Sequence, residues 1–340
     1  MYKIEEIKHV HLEISSRCNA ACPLCPRNFF GYPYNDGYVE HDMTLAQAKQ
    51  IFQPEFLKQI REVNINGNFG DAVMNQDTVA IVEYFKFHNP ALCIGISTNG
   101  GARDRNFWQA LARNNVVLDF CIDGIDEVHS LYRQNTIYSN VIKNAKIFIE
   151  AGGRAIWKMI DFDHNRHQQA QARQLSEELG FSFFNLVDHG RNQGPVFDKD
   201  KNLVHVMGTL HHTEQNFTVA WKNRIQDEVL FETVLNRQPP SPISCQVKEK
   251  KSLYITSIGE VYPCCYLGFS PKTFTHGKGT YHGPINKQFR PLIGDNNALE
   301  RPLADCISWF NKIVQSWEIS TFEQGRLIIC NDACGCKSNK

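Results

Sequence analysis

The chain has 340 residues, enough for one large domain and a smaller one, and its 42% hydrophobic and 21% charged residues are the balance of an ordinary globular protein. Lys+Arg and Asp+Glu both total 36, so the formal charge of +0 provides no global attraction to nucleic acid or anionic lipid. Residues 1–7 lack a basic segment followed by an apolar run, and no later stretch approaches the roughly 20 apolar residues of a membrane span. A cytoplasmic protein with neither nucleic-acid nor membrane partners is expected.

Residues 7–14 alternate as a strand that runs straight into Cys18, Cys22 and Cys25. Thr44 and Gln47 form a capping box that opens a helix to about Phe52, before Pro54. Residues 61–66 read as a second strand ending in Gly67-Asn68-Phe69-Gly70-Asp71, and 76–87 as a helix. The alternation continues with a strand at 92–97, ending in Thr98-Asn99-Gly100, a helix at 105–114 and a strand at 116–122, ending in Asp123-Gly124. A helix at 138–150, a strand at 155–162, a helix at 167–179 and a strand at 181–187 complete the series. Six strand-helix units imply a parallel sheet with right-handed crossovers, either curved into an open partial barrel or laid flat as a doubly wound sheet. In both, the polar segments that follow the strands are where sites form.

Beyond residue 187 the pattern loosens. Residues 188–195 are a loop whose His189 and Arg191 are candidate substrate contacts, 229–235 a short helix, and 238–242 a proline-rich linker. Residues 252–257 and 261–266 flank Gly259 as a β-hairpin, and 303–317 carry a helical apolar stripe.

Twelve cysteines without a secretory signal argue for metal rather than disulfides. Three lie in the opening run, six lie late, and Cys93, Cys121 and Cys306 read as small buried hydrophobes. Three thiolates leave one corner of a metal centre open to something that is not protein, unless a zinc ion borrows a fourth ligand from elsewhere. Cys264 and Cys265 are adjacent on a strand, face opposite ways, and only one of them should bind. By the same rule Lys158 and Asp161 fall on opposite faces of their strand, and Lys158 is taken to point inward.

A first strand followed by Cys18-Asn19-Ala20-Ala21-Cys22-Pro23-Leu24-Cys25 resembles the radical S-adenosylmethionine (radical SAM) superfamily. The resemblance implies an α/β fold, a partial (β/α)6 barrel, with a [4Fe-4S] cluster on Cys18, Cys22 and Cys25 whose open iron takes the amine and carboxylate of SAM. It implies further SAM contacts at Gly67, Gly70 and Asp71, where Asp71 stands in place of the usual glutamate, and at Ser97, Thr98 and Asn99. Asp123-Gly124 with Glu127, His129, Tyr132 and Arg133 is similar to a stretch of relatives that carry an extra cluster domain, and Arg133 would grip the SAM carboxylate. Lys158 and Asp123 are the candidate catalytic residues.

Cys245, Gly259 and Cys264 match the opening of the SPASM/twitch type of auxiliary-cluster domain, with Cys330 and Cys334 as the remaining ligands and Cys265 and Cys336 as alternates. A four-cysteine zinc knuckle is the competing reading of that group. The expected division is a radical SAM core at 1–190, a connecting segment at 191–244 that contributes to the substrate site, and a twitch-like domain of hairpin plus helix at 245–340. The implied activity is reductive cleavage of SAM to a 5′-deoxyadenosyl radical that takes a hydrogen atom from substrate. The outcome would be an oxidation, dehydrogenation or cross-link on a small sugar-like or amino-acid-like metabolite or on a peptide side chain. No separate peptide-binding domain precedes the first strand, which argues against a leader-dependent peptide maturase. Implied cofactors are SAM, its [4Fe-4S] cluster and an auxiliary [4Fe-4S] cluster, with flavodoxin or ferredoxin as electron donor. A non-catalytic binding protein stabilised by zinc or iron-sulfur is the alternative.

Overall fold

The computed structural model describes residues 1–25, 27–29, 32–33, 40–187, 194–197, 203–207, 242–268 and 288–335. His189, Arg191, Cys336 and the helix expected at 229–235 lie outside the described residues. The described chain forms two compact units, residues 12–33 with 40–207, and residues 1–11 with 242–335.

The larger unit is entered from β1, His9–Leu12, whose last residue accepts the Asn66 N–H through its carbonyl at 3.1 Å. Its sheet runs β2 (Glu62–Ile65), β3 (Cys93–Thr98), β4 (Val117–Cys121), β5 (Arg154–Ile160) and β6 (Phe183–Val187), all parallel and in chain order. The connecting helices are α1 (Leu45–Ile51), α2 (Pro54–Gln59), α3 (Thr78–His88), α4 (Arg105–Arg113), α5 (Glu127–Tyr132), α6 (Tyr138–Glu150) and α7 (Gln169–Glu178).

One face of this sheet is apolar: Val63 and Ile65, Ile94 and Ile96, Leu118 and Phe120, Ala155, Trp157 and Met159, and Phe184 are all buried. The opposite face carries Ser97, Asp119, Cys121, Ile156, Lys158 and Asn185, all half-buried. A doubly wound sheet is covered on both faces and buries both. With one face covered and the other open and polar, the flat alternative gives way to the open-barrel arrangement.

Local chemistry explains most boundaries. Thr44 and Gln47 cap α1 reciprocally, and Asp104 accepts the Phe107 N–H at 3.0 Å to start α4. Pro54, read from sequence as a stop, also opens α2, because the first helical position needs no N–H. Cys93 is exposed at the head of β3 and Cys121 half-buried on the open face, so of the three cysteines expected in the core only Cys306 is buried.

A further antiparallel pair, β7 (Gly194–Phe197) and β8 (Leu203–Met207), begins within the loop expected at 188–195 and continues where no element was expected. Its Val196 and Met207 are buried with Ala20, Cys22, Tyr132, Ile160 and Phe162, against which Cys18, Leu24 and Cys25 also pack.

In the smaller unit the strand order is β10 (Val261–Tyr262), β9 (Ser252–Ile255), β1. Gly259, at φ 83°, makes the turn of the β9–β10 hairpin. The return strand stops at Tyr262 rather than continuing to 266, since Pro263 has no N–H to extend the ladder. Helix α8 (Gln246–Lys250) follows Cys245. The stripe at 303–317 is two helices, α9 (Leu303–Cys306) and α10 (Phe310–Trp317), because the Ser308 hydroxyl donates to the Asp305 carbonyl at 2.9 Å and competes with the helical ladder. Helix α11 (Ile328–Cys334) was not foreseen. Met1 to His11 count with this unit, tied by the Tyr2 hydroxyl donating to the Ser252 carbonyl, by an ion pair between Glu6 and Lys251, and by the Lys8 N–H on the Lys251 carbonyl at 3.0 Å.

Candidate functional site

The segment after β1 is held in place by its own side chains and backbone. Ser15 donates to Asp42 at 2.6 Å, Arg17 pairs with the same carboxylate at 3.0 Å, and Arg27 reaches the Ser16 carbonyl and Glu40. The Ala21 N–H bonds the Gln134 carbonyl at 2.9 Å, beside Arg133. Donors also point at the sulfurs: the Ala20 N–H at 3.4 Å and the Asn99 amide at 3.7 Å to Cys18 Sγ, and Arg133 Nη1 at 3.8 Å to Cys22 Sγ. Burial pushes the Cys22 thiol up to about 12 against the pull of Arg133, and burial and Asp71 push Cys18 up. Bare thiols there keep their protons, and a bound cationic centre reverses that balance.

The ends of β2, β3 and β4 are bonded to this loop and to one another. Asp71 accepts from Thr98 Oγ1 at 3.1 Å, Asn99 N at 2.7 Å and Val73 N at 3.1 Å, and its burial raises its pKa. Both Asp71 and Thr98 are therefore occupied in joining two strand ends, while Asn99 reaches across to Asn19 Oδ1 at 2.9 Å. Gly70 lies where a Cβ would come within 1.9 Å of the Ser15 carbonyl oxygen, and at Gly67 it would come within 2.6 Å of Glu13 Oε1. Glycine is required at both.

Asp123 is fully buried, with Oδ1 accepting the Ile160 N–H and Oδ2 accepting Arg133 Nε, each at 2.6 Å. Burial works against the Arg133 charge, and Asp123 outweighs it only together with Cys22, Cys121 and Tyr132, which raises the guanidinium's pKa. Both oxygens of Asp123, named from sequence as a catalytic candidate, are thus taken up in holding Arg133 and β5. His129, one turn before Arg133, is buried with Nε2 3.0 Å from Thr136 Oγ1, and burial lowers its pKa to about 4.

Lys158 does lie on the open sheet face. Its Nζ stands 3.4 Å from Asp119 Oδ2, which also accepts Ser97 Oγ at 3.3 Å. Asp119 was missed from sequence, as was Glu13; the signal for each is one carboxylate inside an apolar run, Leu118-Asp119-Phe120 and Leu12-Glu13-Ile14. Asp161 lies beyond the end of β5 and bonds Gln169 at 2.8 Å and Arg166 at 3.3 Å.

In the smaller unit Cys245, Cys264, Cys330 and Cys334 line one cavity of about 320 Å³ together with Pro263, Ile313 and Trp317. Cys265 is not among its lining residues. A hydrogen bond shared by Cys245 and Cys334 lowers the first thiol and raises the second, and burial pushes Cys330 up to about 12. Among the described residues, no three His, Cys, Asp or Glu side chains converge as the ligands of a single metal ion do.

No family model matches the chain. A curated relative, the FeMo cofactor biosynthesis protein NifB of Methanocaldococcus jannaschii, is 27% identical over 176 residues, which are 47% of this chain and 56% of that protein. The chain thus spans little more than half the length of the relative it matches. Among solved structures, Streptococcus suis SuiB bound to S-adenosylmethionine is similar with a TM-score of 0.58 at 14% identity, covering 96% of this chain and 73% of that one. Native anSMEcpe with bound AdoMet and the Cp18Cys peptide gives a TM-score of 0.51 at 14% identity over 96% of this chain and 88% of that one. The fold is therefore the α/β fold with a parallel sheet seen in radical SAM enzyme structures. No helix among the described residues is long and apolar enough to cross a membrane.

Proposed function

We propose that the protein is a radical SAM iron-sulfur enzyme, with Cys18, Cys22 and Cys25 holding a [4Fe-4S] cluster and SAM binding at its open iron. The observation that carries this reading is the loop itself: three thiols packed into one buried cluster of residues, with N–H donors from Ala20, Asn99 and Arg133 aimed at two of their sulfurs. The donor set fits, because thiolates are soft ligands and a cubane spreads them over separate irons rather than onto one point. Held by Cys18, Cys22 and Cys25, such a cluster would supply the electron for reductive cleavage of SAM and so the radical that takes a hydrogen atom from substrate.

The chain's own residues bind and orient. Arg133 uses Nε on Asp123 and Nη1 on Cys22, and its remaining N–H groups are assigned to the SAM carboxylate. The 67–71 backbone is assigned to the SAM amine. Asp71, Thr98 and Asn99 hold the strand ends together beneath it, and Ser97, Asp119 and Lys158 face the substrate. Val196 and Met207 cover the cysteine loop and help exclude water.

The four cysteines around one cavity favour an auxiliary [4Fe-4S] cluster of the twitch kind in a domain beginning near Cys245, able to take an electron from a substrate radical. That supports a net oxidation, dehydrogenation or cross-link. Between substrate classes, the relatives solved with peptides, SuiB with precursor peptide SuiA and anSMEcpe with Cp18Cys, favour a peptide side chain over a sugar-like metabolite. Flavodoxin or ferredoxin is the proposed electron donor.

The test is anaerobic reconstitution followed by SAM and a strong reductant, with 5′-deoxyadenosine measured. The parent should form it, and the Cys18→Ala, Cys22→Ala, Cys25→Ala triple variant should fall to the blank. A metal-stabilised binding protein would form none with either.

A further inference from the structure

We infer that Glu13 is a positioning residue for SAM, acting through the backbone of residues 67–70; the inference rests on the reading of that segment as the receiver of the SAM amine. Glu13 follows β1 directly, its residue is 1% exposed, and one carboxylate oxygen, Oε1, accepts the N–H groups of Phe69 at 2.8 Å and Gly70 at 3.0 Å. A buried carboxylate is costly unless it accepts strong hydrogen bonds, and two consecutive backbone N–H groups provide them.

The consequence for the loop follows from peptide geometry. In a planar trans peptide the carbonyl points opposite to the N–H. Fixing the N–H groups of residues 69 and 70 on Glu13 therefore turns the carbonyls of Asn68 and Phe69 away from it, as a pair of acceptors on the other side of the segment. An ammonium group is a pure donor, and two carbonyls turned the same way are the acceptors it needs.

The packing closes around this arrangement. A Cβ at Gly67 would stand 2.6 Å from Glu13 Oε1 and 2.5 Å from the Gly70 carbonyl oxygen, so the carboxylate occupies the space that glycine leaves. The Asp71 N–H is held on the Arg17 carbonyl at 2.8 Å, and Arg17 directly precedes Cys18. Glu13 and Arg17 thus tether three consecutive N–H groups, those of residues 69 to 71, to the run that carries the cysteines. Asp71, at the position where relatives carry glutamate, is spent on Thr98 and Asn99. The carboxyl group bonded to the segment's backbone N–H groups is that of Glu13 instead.

The experiment uses full-length protein reconstituted anaerobically, with the dissociation constant for SAM measured by calorimetry and iron and sulfide counted in each sample. Glu13→Ala should keep its iron and sulfide and bind SAM roughly 10–100-fold more weakly, the usual cost of losing a group that orients a site from behind. Glu13→Gln, whose amide oxygen accepts both N–H groups without charge, should lose only about threefold. This graded rescue separates positioning from general damage, and Glu13→Gln carries the test if the alanine variant fails to fold. Iron-loaded variants that bind SAM within about twofold of the parent would overturn the inference. A parent that binds no SAM would overturn the assignment of the 67–71 segment, and this inference with it.

Discussion

Two aspartates near the end of β4 each pair with a cation, and the pairs differ in almost everything else. Asp123 and Arg133 meet at 2.6 Å with the carboxylate wholly buried, beyond the strand end and beside the cysteine loop. Asp119 and Lys158 meet at 3.4 Å on the open sheet face, their side chains 26% and 22% exposed. The same pair of charges serves opposite ends in the two places. The buried pair cannot be opened without leaving a charge stranded in the interior, so it fixes Arg133 against Cys22. The open pair is loosely made and still reaches solvent, so a substrate can compete for it at small cost.

The largest effect expected from this contrast is on stability at the buried pair. Arg133→Met leaves Asp123 buried without its cation, and urea unfolding should show a loss of about 3–5 kcal/mol. A loss below about 1 kcal/mol would mean that the buried pair constrains the fold no more than an exposed one.

The next effect is on pH, through His129 in the same buried layer. Its folded pKa of about 4 lies below the ordinary 6.5, so the fold favours the neutral imidazole. That contribution is complete above pH 6.5, is lost as pH falls towards 4, and is on the order of 3 kcal/mol once lost. Urea midpoints measured from pH 7.5 to 4 should fall more steeply for the parent than for His129→Gln. Parallel curves would show that His129 does not titrate against folding.

The smallest effect is at the open pair. Lys158→Met should change unfolding free energy by less than about 1 kcal/mol. A loss of several kcal/mol would make the open pair structural and erase the contrast.

These differences also mark what sequence could convey. The strands from residues 61 to 187 were legible because their signals are local, period-two alternation and polar strand ends, and the spacing of Cys18, Cys22 and Cys25 falls within a single loop. Which face of the sheet the helices cover is a tertiary fact. Cys93 and Cys121 have apolar neighbours in sequence and yet fall on the uncovered side. Asp123 looked catalytic from its motif, and its occupation by Arg133 and the Ile160 N–H depends on residues 10 and 37 positions away. The β7–β8 hairpin escaped because its Gly- and Pro-containing start reads as loop, and the break between α9 and α10 rests on one hydroxyl at Ser308. Glu13 and Asp119 were visible as lone carboxylates in apolar runs, but only packing shows what each one meets.

The central claim is that the three-cysteine loop holds a cluster with one iron open to SAM. The direct measurement is electron paramagnetic resonance of the Cys245→Ala, Cys264→Ala, Cys330→Ala, Cys334→Ala variant, reduced anaerobically so that only the cluster on Cys18, Cys22 and Cys25 contributes. The account predicts a reduced-cluster signal whose g-values shift when SAM is added. A cluster signal unchanged by saturating SAM, or no iron retained in that variant, would contradict it.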